Sequence, residues 1–478
     1  MAFTESHGLR VANPEKKVIV KSLTAPPFIL AAMLVLITVG TVLCAGAVWP
    51  DRTVWVLAIP LGMIAIVGIW RAPAAATLVL VALIGFDSTA LLPEALRVVS
   101  PLKLLFPVVF FVLLLGLAVG RFKAAAPHPL DWWIVGWSAL NLVLCVVAQD
   151  KAVALDFCRH WVSLVLLYWL ITQLFADKDK YERLLMVIVF SMAVSCLIGL
   201  RASVAGNNPF SSYQDPELVR ITGATGMDPN TFAATLFLPL ILAATAALTH
   251  PGAGFRRVCL GIVPVLIAGI ILTYSRSAFL VLAVMGAIAA VAWRRHITCA
   301  QWAIIGVGLM LVLILHSGAI LERVASLGHL FSDKQVDLSL FRRENYIRVG
   351  LNIFKSHLFL GAGPGNFKVL HANPDYQPIS ILVGVPREPH NTYLEVISET
   401  GLVGLIFFMG TALAALRHTA PAMRSDAVYA QGLFIVLMGF AMMGLFLHLL
   451  LDKYVWITLA LIRAMPEEEP WLVPKSSA

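Results

Sequence analysis

Long apolar runs separated by short polar connections dominate the chain. Runs of roughly 17–22 residues recur along it, and that length is what an α-helix needs to cross about 30 Å of hydrocarbon. Because lipid offers no hydrogen-bonding partners to the backbone, segments of this length that span it must be helical. The predicted spans are 27–47, 53–70, 74–92, 101–120, 132–148, 158–176, 183–203, 229–249, 257–273, 277–293, 301–316, 392–415 and 428–449, followed by a short apolar piece at 453–464.

This pattern predicts an all-α fold, a polytopic transmembrane bundle of 12 to 14 helices with one large loop that itself contains helices. The count stays open because 257–293 and the last two segments can each be interpreted in more than one way. Composition agrees with the pattern, since 59% of the residues are hydrophobic and 13% are charged. A soluble globular domain has about 45–50% apolar and about 25% charged residues, so a soluble protein is excluded.

Four regions follow from the spacing of the spans. We predict N-terminal transmembrane helices over 1–203, central transmembrane helices and their loops over 204–316, a large loop over 317–390, and C-terminal transmembrane helices with a tail over 391–478. Long loops among tightly connected elements are usually functional. The medium loop 204–228 and the long loop 317–390 are therefore where a site is expected.

The distribution of basic residues predicts the orientation. With the N-terminus in the cytoplasm, the short connections on the cytoplasmic side carry more Lys and Arg than those outside, as the positive-inside rule requires. An even helix count brings the C-terminus to the cytoplasm as well, and both long loops then lie outside. The first 26 residues are polar and no small-residue cleavage site follows the first apolar run, so we expect an uncleaved first helix.

Composition gives little sign of a metal or cofactor. The six cysteines lie in or beside apolar spans without metal-like spacing, and we interpret them as small buried hydrophobic residues. Cys145 and Cys158 can approach each other, but nothing requires a disulfide. No HExxH or CxxC motif occurs in the outer segments. The net charge of +8 is compatible with anionic lipids and substrates, and we predict no nucleic-acid partner.

The first candidate for chemistry is His390, at the exit of the long loop in PREPHNTYLEVISETGLVGLIFF. Thr392 and Glu395 have the spacing of a capping box, which predicts a helix from about residue 393. The positive end of the helix dipole favours a neutral imidazole just before it, and a general base must be neutral. The alternative is an ordinary surface histidine in an interfacial loop.

Two arginines are candidates for binding an anion. Arg276, in TYSRSAFL, interrupts a long apolar stretch and is predicted at the tip of an outer hairpin. Arg220 lies a few residues before Asp228-Pro229, which has the form of an N-cap followed by a proline at the first helical position. Glycines, exposed N–H groups and an arginine together suit a phosphate group. A plain loop arginine and a plain helix entry remain the alternatives.

The long loop contains a predicted amphipathic helix in SLFRRENYIRVGLNIFKSHLFLGAGPGNF, residues 339–367. Such a helix is suited to lie on the membrane surface beside anionic head groups. Its glycines resemble a dinucleotide fingerprint only superficially, because no βαβ unit surrounds them, and we reject a nucleotide site. The apolar face is predicted to comprise Leu340, Tyr346, Ile347, Leu351, Ile353 and Phe354, and the cationic face Arg342, Arg343, Arg348 and Lys355.

These motifs together resemble the O-antigen ligase and O-antigen polymerase superfamily of bacterial membrane glycosyltransferases. The strongest match is PHNTYLEVISETGLVGL, supported by YSRSA, by RITGATGMDPN and by FRRENYIRVGLNIFKSHLFLGAGPGNF. The resemblance covers roughly residues 200–415, with the motifs in the family's order. It implies an inner-membrane enzyme that transfers a glycan from an undecaprenyl-diphosphate carrier to an acceptor hydroxyl on the periplasmic side, without a metal or other cofactor.

Carried over by position, the resemblance implies a role for each candidate. Arg220 and Arg276, in the loops of the central region, would bind the donor diphosphate, and His390 would activate or orient the acceptor hydroxyl. Arg343 is a further candidate for binding substrate, although Arg342 beside it could serve the same role. Two asparagines beside these positions are also candidates, Asn230 and Asn391. Direct displacement with inversion at the anomeric carbon is the simplest mechanism, and two arginines can stabilise the leaving group in place of Mg²⁺.

Several functions remain open at this level. The predicted partners are the undecaprenyl-diphosphate-linked donor, membrane lipids and a glycan acceptor, which is the lipid A core for a ligase or a lipid-linked repeat unit for a polymerase of O-antigen or exopolysaccharide. Transfer to a protein side chain uses related chemistry. A transporter or flippase for lipid-linked sugars is the alternative of another class, but it usually carries several ionisable groups within its spans, and here Asp87 is nearly the only deeply placed acid.

Overall fold

The computed structural model describes residues 66–87, 101–205, 220–298 and 338–467, together with single positions at 301, 303, 306, 310 and 470. The chain divides into two units, Met1–Gly68 and Ile69–Ala478, and the helices described below belong to the second. Several predictions lie outside the described residues: the spans 27–47, most of 53–70 and most of 301–316, the loop segments 206–219 and 317–337, and the two cysteines Cys44 and Cys299.

The described part of the second unit consists of helices and their connections, with no strand in these ranges. Two 3-10 turns, Ser380–Leu382 and Ala420–Arg424, accompany the α-helices. The α-helices are α1 Pro73–Ile84, α2 Pro101–Ala118, α3 Pro129–Val147, α4 Lys151–Leu174, α5 Lys178–Val204, α6 Pro229–Thr235, α7 Phe237–Thr249, α8 Ala253–Ile271, α9 Arg276–Ala292, α10 Leu338–Ser356, α11 Phe367–His371, α12 Thr392–Thr419, α13 Val428–Met443 and α14 Lys453–Ala464.

Among the described residues, six helical segments are long and apolar enough to cross a membrane, and they confirm the predicted all-α membrane bundle. They are Pro129–Val147, Lys151–Leu174, Lys178–Val204, Pro229–Thr249, Ala253–Ile271 and Thr392–Arg424. Shorter apolar helices lie beside them at Pro73–Ile84, Leu105–Ala118, Arg276–Ala292 and Val428–Met443. The ambiguous stretch 257–293 is two helices, α8 and α9, and the last two apolar segments are also separate helices.

Capping side chains fix where several helices begin. Asp150, Asp177, Asp228 and Asp452 each accept hydrogen bonds from backbone N–H groups in the first turn of α4, α5, α6 and α14 respectively, which satisfies donors that the helix itself cannot use. The apolar pattern predicts that α4 and α5 start at residues 158 and 183. The first turns of these helices are polar, so apolar length alone could not locate their caps.

The segment Pro229–Thr249 forms the centre of the bundle and is the most deeply buried of the six long apolar segments. Helices α5, α8 and α13 pack around its second part, α7. At one end of the bundle, the hydroxyl of Tyr181 donates to the carbonyl of Leu461 at 2.7 Å and shares a 2.7 Å hydrogen bond with the hydroxyl of Tyr429. This pair ties α5, α13 and α14 together.

The opposite end of the bundle gathers the connections that the topology predicts to lie outside, and we call it the loop end. It comprises 148–150, 220–228, 272–275, 357–391 and 444–452. Backbone hydrogen bonds join these segments, from Gln149 N–H to the carbonyl of Ala362 (3.1 Å) and from Thr392 N–H to the carbonyl of Gly444 (2.7 Å). Which side of a membrane the loop end faces stays a prediction.

Candidate active site at the start of helix α12

Helix α12 begins at the loop end, and its first turn is bonded to the segment that follows α13. Asn391 is the N-cap, because its side-chain oxygen accepts a hydrogen bond from Leu394 N–H at 2.9 Å. The predicted capping box, with Thr392 as the cap and Glu395 as its partner, is wrong. The Thr392 hydroxyl instead donates to the carbonyl of Leu447 (2.8 Å) and accepts from Leu449 N–H (2.9 Å). The Thr392 side chain therefore joins the start of α12 to the segment 447–449 and does not cap the helix.

His390 lies immediately before this cap, between two other rings. Its imidazole centroid is 5.6 Å from that of Tyr346 on α10 and 5.3 Å from that of His448, which meets it edge to face. The pKa of His390 is lowered to about 4, mainly by burial and also by His448 and Arg343, while the carboxylates of Asp228 and Glu388 oppose the shift. The imidazole is therefore neutral at pH 7, as a general base requires.

The backbone at His390 is held in an unfavourable conformation. Its φ angle is +46°, and Tyr274 with φ +51° is the other non-glycine residue with positive φ in the described ranges. Such conformations cost free energy and persist only where the surrounding structure imposes them, which happens most often at functional sites. Tyr274 lies in the turn that leads to Arg276, so both strained residues adjoin candidates from the sequence analysis.

Arg220 and Asn230 are joined directly. The Arg220 guanidinium donates through Nε to the carbonyl of Thr273 (2.7 Å) and through Nη2 to the side-chain oxygen of Asn230 (3.0 Å). The Asn230 amide in turn donates to Asp228 at 2.9 Å. The predicted N-cap at Asp228 and first-turn Pro229 are confirmed. Because Asp228 also raises the pKa of His390, this hydrogen-bonded chain leads from Arg220 to the neighbourhood of the imidazole.

Arg276 is brought close to the Arg220 loop through the backbone. Ile221 N–H donates to the carbonyl of Leu272 at 3.1 Å, which holds the two loops side by side. Arg276 is the first residue of α9, directly after the N-cap Ser275, so it occupies the predicted tip of the hairpin between α8 and α9. Both predicted diphosphate ligands therefore belong to one pair of joined loops.

Arg343 and Arg342 are distinguished by their positions on α10. Arg342 is exposed, whereas Arg343 is partly buried, with its guanidinium 5.5 Å from the centre of the Phe446 ring. Arg343 also lowers the pKa of His390. Of the two arginines, Arg343 is therefore the one beside the histidine.

The predicted apolar face of α10 is only partly correct. Tyr346, Val349 and Ile353 are buried in a small core with Phe367 and Leu394, whereas Ile347 and Leu351, assigned to the same face, are exposed. The helix also ends at Ser356, before the glycine-rich turn. The packing surface follows the three- and four-residue spacing of 346, 349 and 353, and the adjoining stripe at 347 and 351 points outward.

The glycine-rich loop after α10 binds to a break in α12. Gly401 interrupts the helix with φ +63°, and Ala362 and Gly363 N–H donate to the carbonyls of Ser398 and Glu399, both at 2.9 Å. The Glu399 carboxylate accepts from Gly365 N–H at 2.7 Å and from Phe367 N–H at 3.0 Å. The backbone N–H groups of this loop therefore bind a protein carboxylate.

Comparison with known families identifies part of the chain. Residues 261–409 match the family model described as O-antigen ligase. This segment is similar to O-antigen ligases. This match confirms the resemblance inferred from the motifs and supports a glycosyltransferase of the ligase and polymerase type in a membrane. No curated protein matches the chain.

The matched segment 261–409 contains four of the six predicted site residues, Arg276, Arg343, His390 and Asn391, whereas Arg220 and Asn230 precede it. His448 follows it and is not among the predicted site residues, because the apolar pattern includes 428–449 in one span. Helix α13 ends at Met443, and His448 lies in the non-helical segment beyond. A histidine in FLHLLLDK, just before Asp452 and Lys453, was the available signal.

A polar cavity of about 310 Å³ opens beside His448. Its wall combines the start of α4, the start of α6, the turn before α11, the first turn of α12 and the segment before α14. The residues that line it are Val153, Asp156, Phe157, His160, Met227, Thr231, Gly365, Lys368, Glu388, Glu395, His448, Leu451, Asp452 and Lys453. The sequence analysis singled out none of these as site residues, since they come from five separate parts of the chain.

Proposed function

We propose that this protein is an O-antigen ligase-like glycosyltransferase of the bacterial inner membrane. It transfers a glycan from undecaprenyl diphosphate to a sugar hydroxyl of an acceptor on the periplasmic side. The observation that carries the proposal is the surroundings of His390, a half-buried neutral imidazole before a helix start. Arg343 lies beside it, and the Asp228–Asn230–Arg220 chain leads to it. The match to the O-antigen ligase family supports the same reaction class.

The proposed reaction is a single displacement. A ring nitrogen of His390 takes the proton of the acceptor hydroxyl as the hydroxyl oxygen bonds to the anomeric carbon of the donor glycan. The bond from that carbon to the phosphate oxygen breaks, and undecaprenyl diphosphate leaves with the electron pair. Because the attacking oxygen and the leaving group are on opposite faces of the carbon, the configuration inverts.

Arginines supply the positive charge that the leaving group needs. Negative charge grows on the diphosphate as the glycosidic bond breaks, so fixed guanidinium groups stabilise the transition state more than the ground state. Arg220 is oriented by its bonds to Thr273 and Asn230, and Arg276 is on the adjoining loop. A pre-oriented guanidinium can bind phosphate oxygens through two parallel hydrogen bonds.

A polymerase of lipid-linked repeat units is the nearest alternative, because it uses the same donor and the same kind of hydroxyl. A flippase is the alternative of another class. A path through the bundle needs ionisable groups along the spans, whereas Arg220 and His390 lie at the loop end, which favours an enzyme.

The test is glycan output in cells that lack the native gene and carry the wild type, His390→Ala or His250→Ala. His250 is a matched control because it lies at the end of the bundle opposite the loop end, between α7 and α8. Gels separate carrier-linked, polymerised and surface-attached glycan, and blots confirm protein abundance. Loss of transfer with His390→Ala alone supports the proposal. Accumulated long carrier-linked chains then indicate a ligase, and single repeat units indicate a polymerase. Normal glycan with His390→Ala contradicts the enzyme mechanism.

A further inference from the structure

Three residues that line the cavity beside His448 each have a buried polar atom without a hydrogen-bond partner among the described residues. Glu395 and Asp452 are 5% and 7% exposed, and both line the cavity. Among the described residues, Oε2 of Glu395, Oδ2 of Asp452 and Nδ1 of His448 have no hydrogen-bond partner. A buried polar atom without a partner is costly, so three such atoms in residues that line one cavity indicate a ligand that hydrogen-bonds to them.

Other carboxyl oxygens nearby do have hydrogen-bond partners. Glu399, one turn further along α12, satisfies both carboxylate oxygens with the N–H groups of Gly365 and Phe367. Asp452 uses Oδ1 to cap α14, accepting from Tyr454 N–H (2.8 Å) and Val455 N–H (3.1 Å). Glu399 and one oxygen of Asp452 therefore have structural roles. Glu395 Oε2 and Asp452 Oδ2 do not.

The charged side chains of the cavity wall determine which chemical class of ligand can bind there. Four carboxylates line the cavity, Asp156, Glu388, Glu395 and Asp452, against two lysines. Both lysines are already paired, Lys368 with Glu388 at 3.5 Å and Lys453 with Asp87. Asp156 is likewise paired, with Arg159 at 2.7 Å. A diphosphate needs positive charge, but neither lysine of the wall is free to supply it, and the three arginines of the candidate active site are not part of the wall.

A polyhydroxylated sugar fits the cavity better than an anion. Carboxyl oxygens accept hydrogen bonds from hydroxyl groups, whether the acid is protonated or ionised. Phe157 offers an apolar surface within the same wall, and a sugar ring has an apolar face as well as hydroxyls. The volume of about 310 Å³ is at the lower end of the range of about 300–1,000 Å³ for small-molecule sites, which suits one sugar unit.

We propose that this cavity binds the terminal sugar of the glycan acceptor, with Glu395 and Asp452 accepting hydrogen bonds from its hydroxyls. The inference rests on the proposed function and names the place of one of its two substrates. His448 is part of the cavity wall and is also in edge contact with His390, so a sugar held here can present one hydroxyl to the catalytic imidazole. Glu395 and Asp452 would then select the acceptor, while the arginines bind the donor.

The experiment distinguishes an effect on acceptor binding from an effect on donor binding, with isosteric variants of the full-length protein. Glu395→Gln and Asp452→Asn keep side-chain size and replace one acceptor oxygen with an NH₂ group, which only donates. Asparagine is itself a good N-cap, so the start of α14 is preserved. Glu344→Gln is the matched control, an exposed glutamate on α10 that pairs with Arg348 outside the cavity. Glycan transfer is measured in the deletion strain, and undecaprenyl diphosphate is the binding probe for purified protein in nanodiscs.

We expect Glu395→Gln and Asp452→Asn each to lower transferred glycan at least tenfold at normal protein abundance, with carrier-linked glycan accumulating. Undecaprenyl diphosphate should bind both variants within about twofold of wild type, which also shows that they are folded. Wild-type transfer by both variants overturns the inference. A tenfold loss of undecaprenyl diphosphate binding also overturns it, because the cavity would then belong to the donor.

Failure of this inference can be told apart from failure of the proposed function. If His390→Ala is inactive while both cavity variants transfer normally, only the assignment of the cavity is wrong. If His390→Ala also transfers normally, the proposed function itself is wrong.

Discussion

The imidazole rings of His390 and His448 meet edge to face, with their centroids 5.3 Å apart. They are 58 positions apart in the sequence (448 minus 390), and they meet because the first turn of α12 is bonded to the segment 444–449. Two histidines this close cannot easily both carry a proton, because each positive charge raises the free energy of the other. The contact therefore helps to keep His390 neutral.

The pH dependence of transfer follows from this contact. The pKa of His390 lies at about 4, below the ordinary histidine value of about 6.5, so the neutral base is present at pH 7 and is lost only as the pH falls towards 4. Transfer by reconstituted protein should stay level between about pH 7 and 5.5. His448→Phe removes one positive neighbour and should move the acid limb to higher pH. An acid limb near pH 6.5 in the wild type would contradict the assignment.

The lowered pKa of His390 also makes the folded protein less stable in acid. The unfolded chain binds a proton at His390 below about pH 6.5, whereas the folded protein resists protonation until about pH 4. The contribution of this residue to stability is therefore full above pH 6.5 and is lost progressively as the pH falls to 4. Thermal unfolding of His390→Gln should depend less on pH across this interval than that of the wild type.

Arg220→Lys should weaken donor binding although the charge is kept. Lysine has no planar fork, so it cannot maintain the two directed bonds to Thr273 and Asn230 while it contacts phosphate. We expect the Kd for undecaprenyl diphosphate to rise at least tenfold, measured on purified protein in nanodiscs. Arg257→Lys serves as the control, since Arg257 is exposed and bonds only locally to Ala253. Equal affinities for the two variants would remove Arg220 from the donor site.

The attachment of the glycine-rich loop to α12 should depend on the hydrogen bonds that Glu399 accepts from Gly365 and Phe367. Replacing it with alanine leaves the N–H groups of Gly365 and Phe367 without their buried acceptor, which should lower the free energy of unfolding by about 2–3 kcal/mol. The measurement is thermal or denaturant unfolding in detergent, with Glu344→Ala expected within about 0.5 kcal/mol of the wild type. If the two variants unfold alike, the two hydrogen bonds at Glu399 contribute little to stability.

Much of the fold could be predicted because its signals are local. Apolar length predicts the spanning helices, and Asp228-Pro229 predicts the start of α6 without any tertiary information. The cap of α12 was misassigned because Asn391 and Thr392 are both good capping residues in isolation, and only the long-range bonds of the Thr392 hydroxyl distinguish them. The cavity could not be predicted, since Glu395 and Asp452 meet only through the packing of α12 against the segment before α14.

The outward stripe of α10 should contact the membrane surface. Ile347 and Leu351 are exposed and one turn apart, and an exposed apolar stripe on a cationic helix suits the interface between head groups and acyl chains. A nitroxide at Ile347→Cys should be more accessible to oxygen than to a water-soluble nickel chelate in proteoliposomes, with unlabelled wild type as background. The label at Arg348→Cys should show the reverse. Similar accessibility at both positions would place the helix away from the lipid.

The most direct test of the central claim is a reconstituted reaction that follows the fate of the carrier. Full-length protein in liposomes is given carrier-linked glycan and acceptor glycolipid, both extracted from cells that lack the gene, and the release of undecaprenyl diphosphate is measured together with the joined glycan. We predict one carrier released for each glycan transferred, and a rate at least about 100-fold lower for His390→Ala. Equal rates for His390→Ala and wild type, or movement of intact carrier-linked glycan across the bilayer without release of undecaprenyl diphosphate, would contradict the claim.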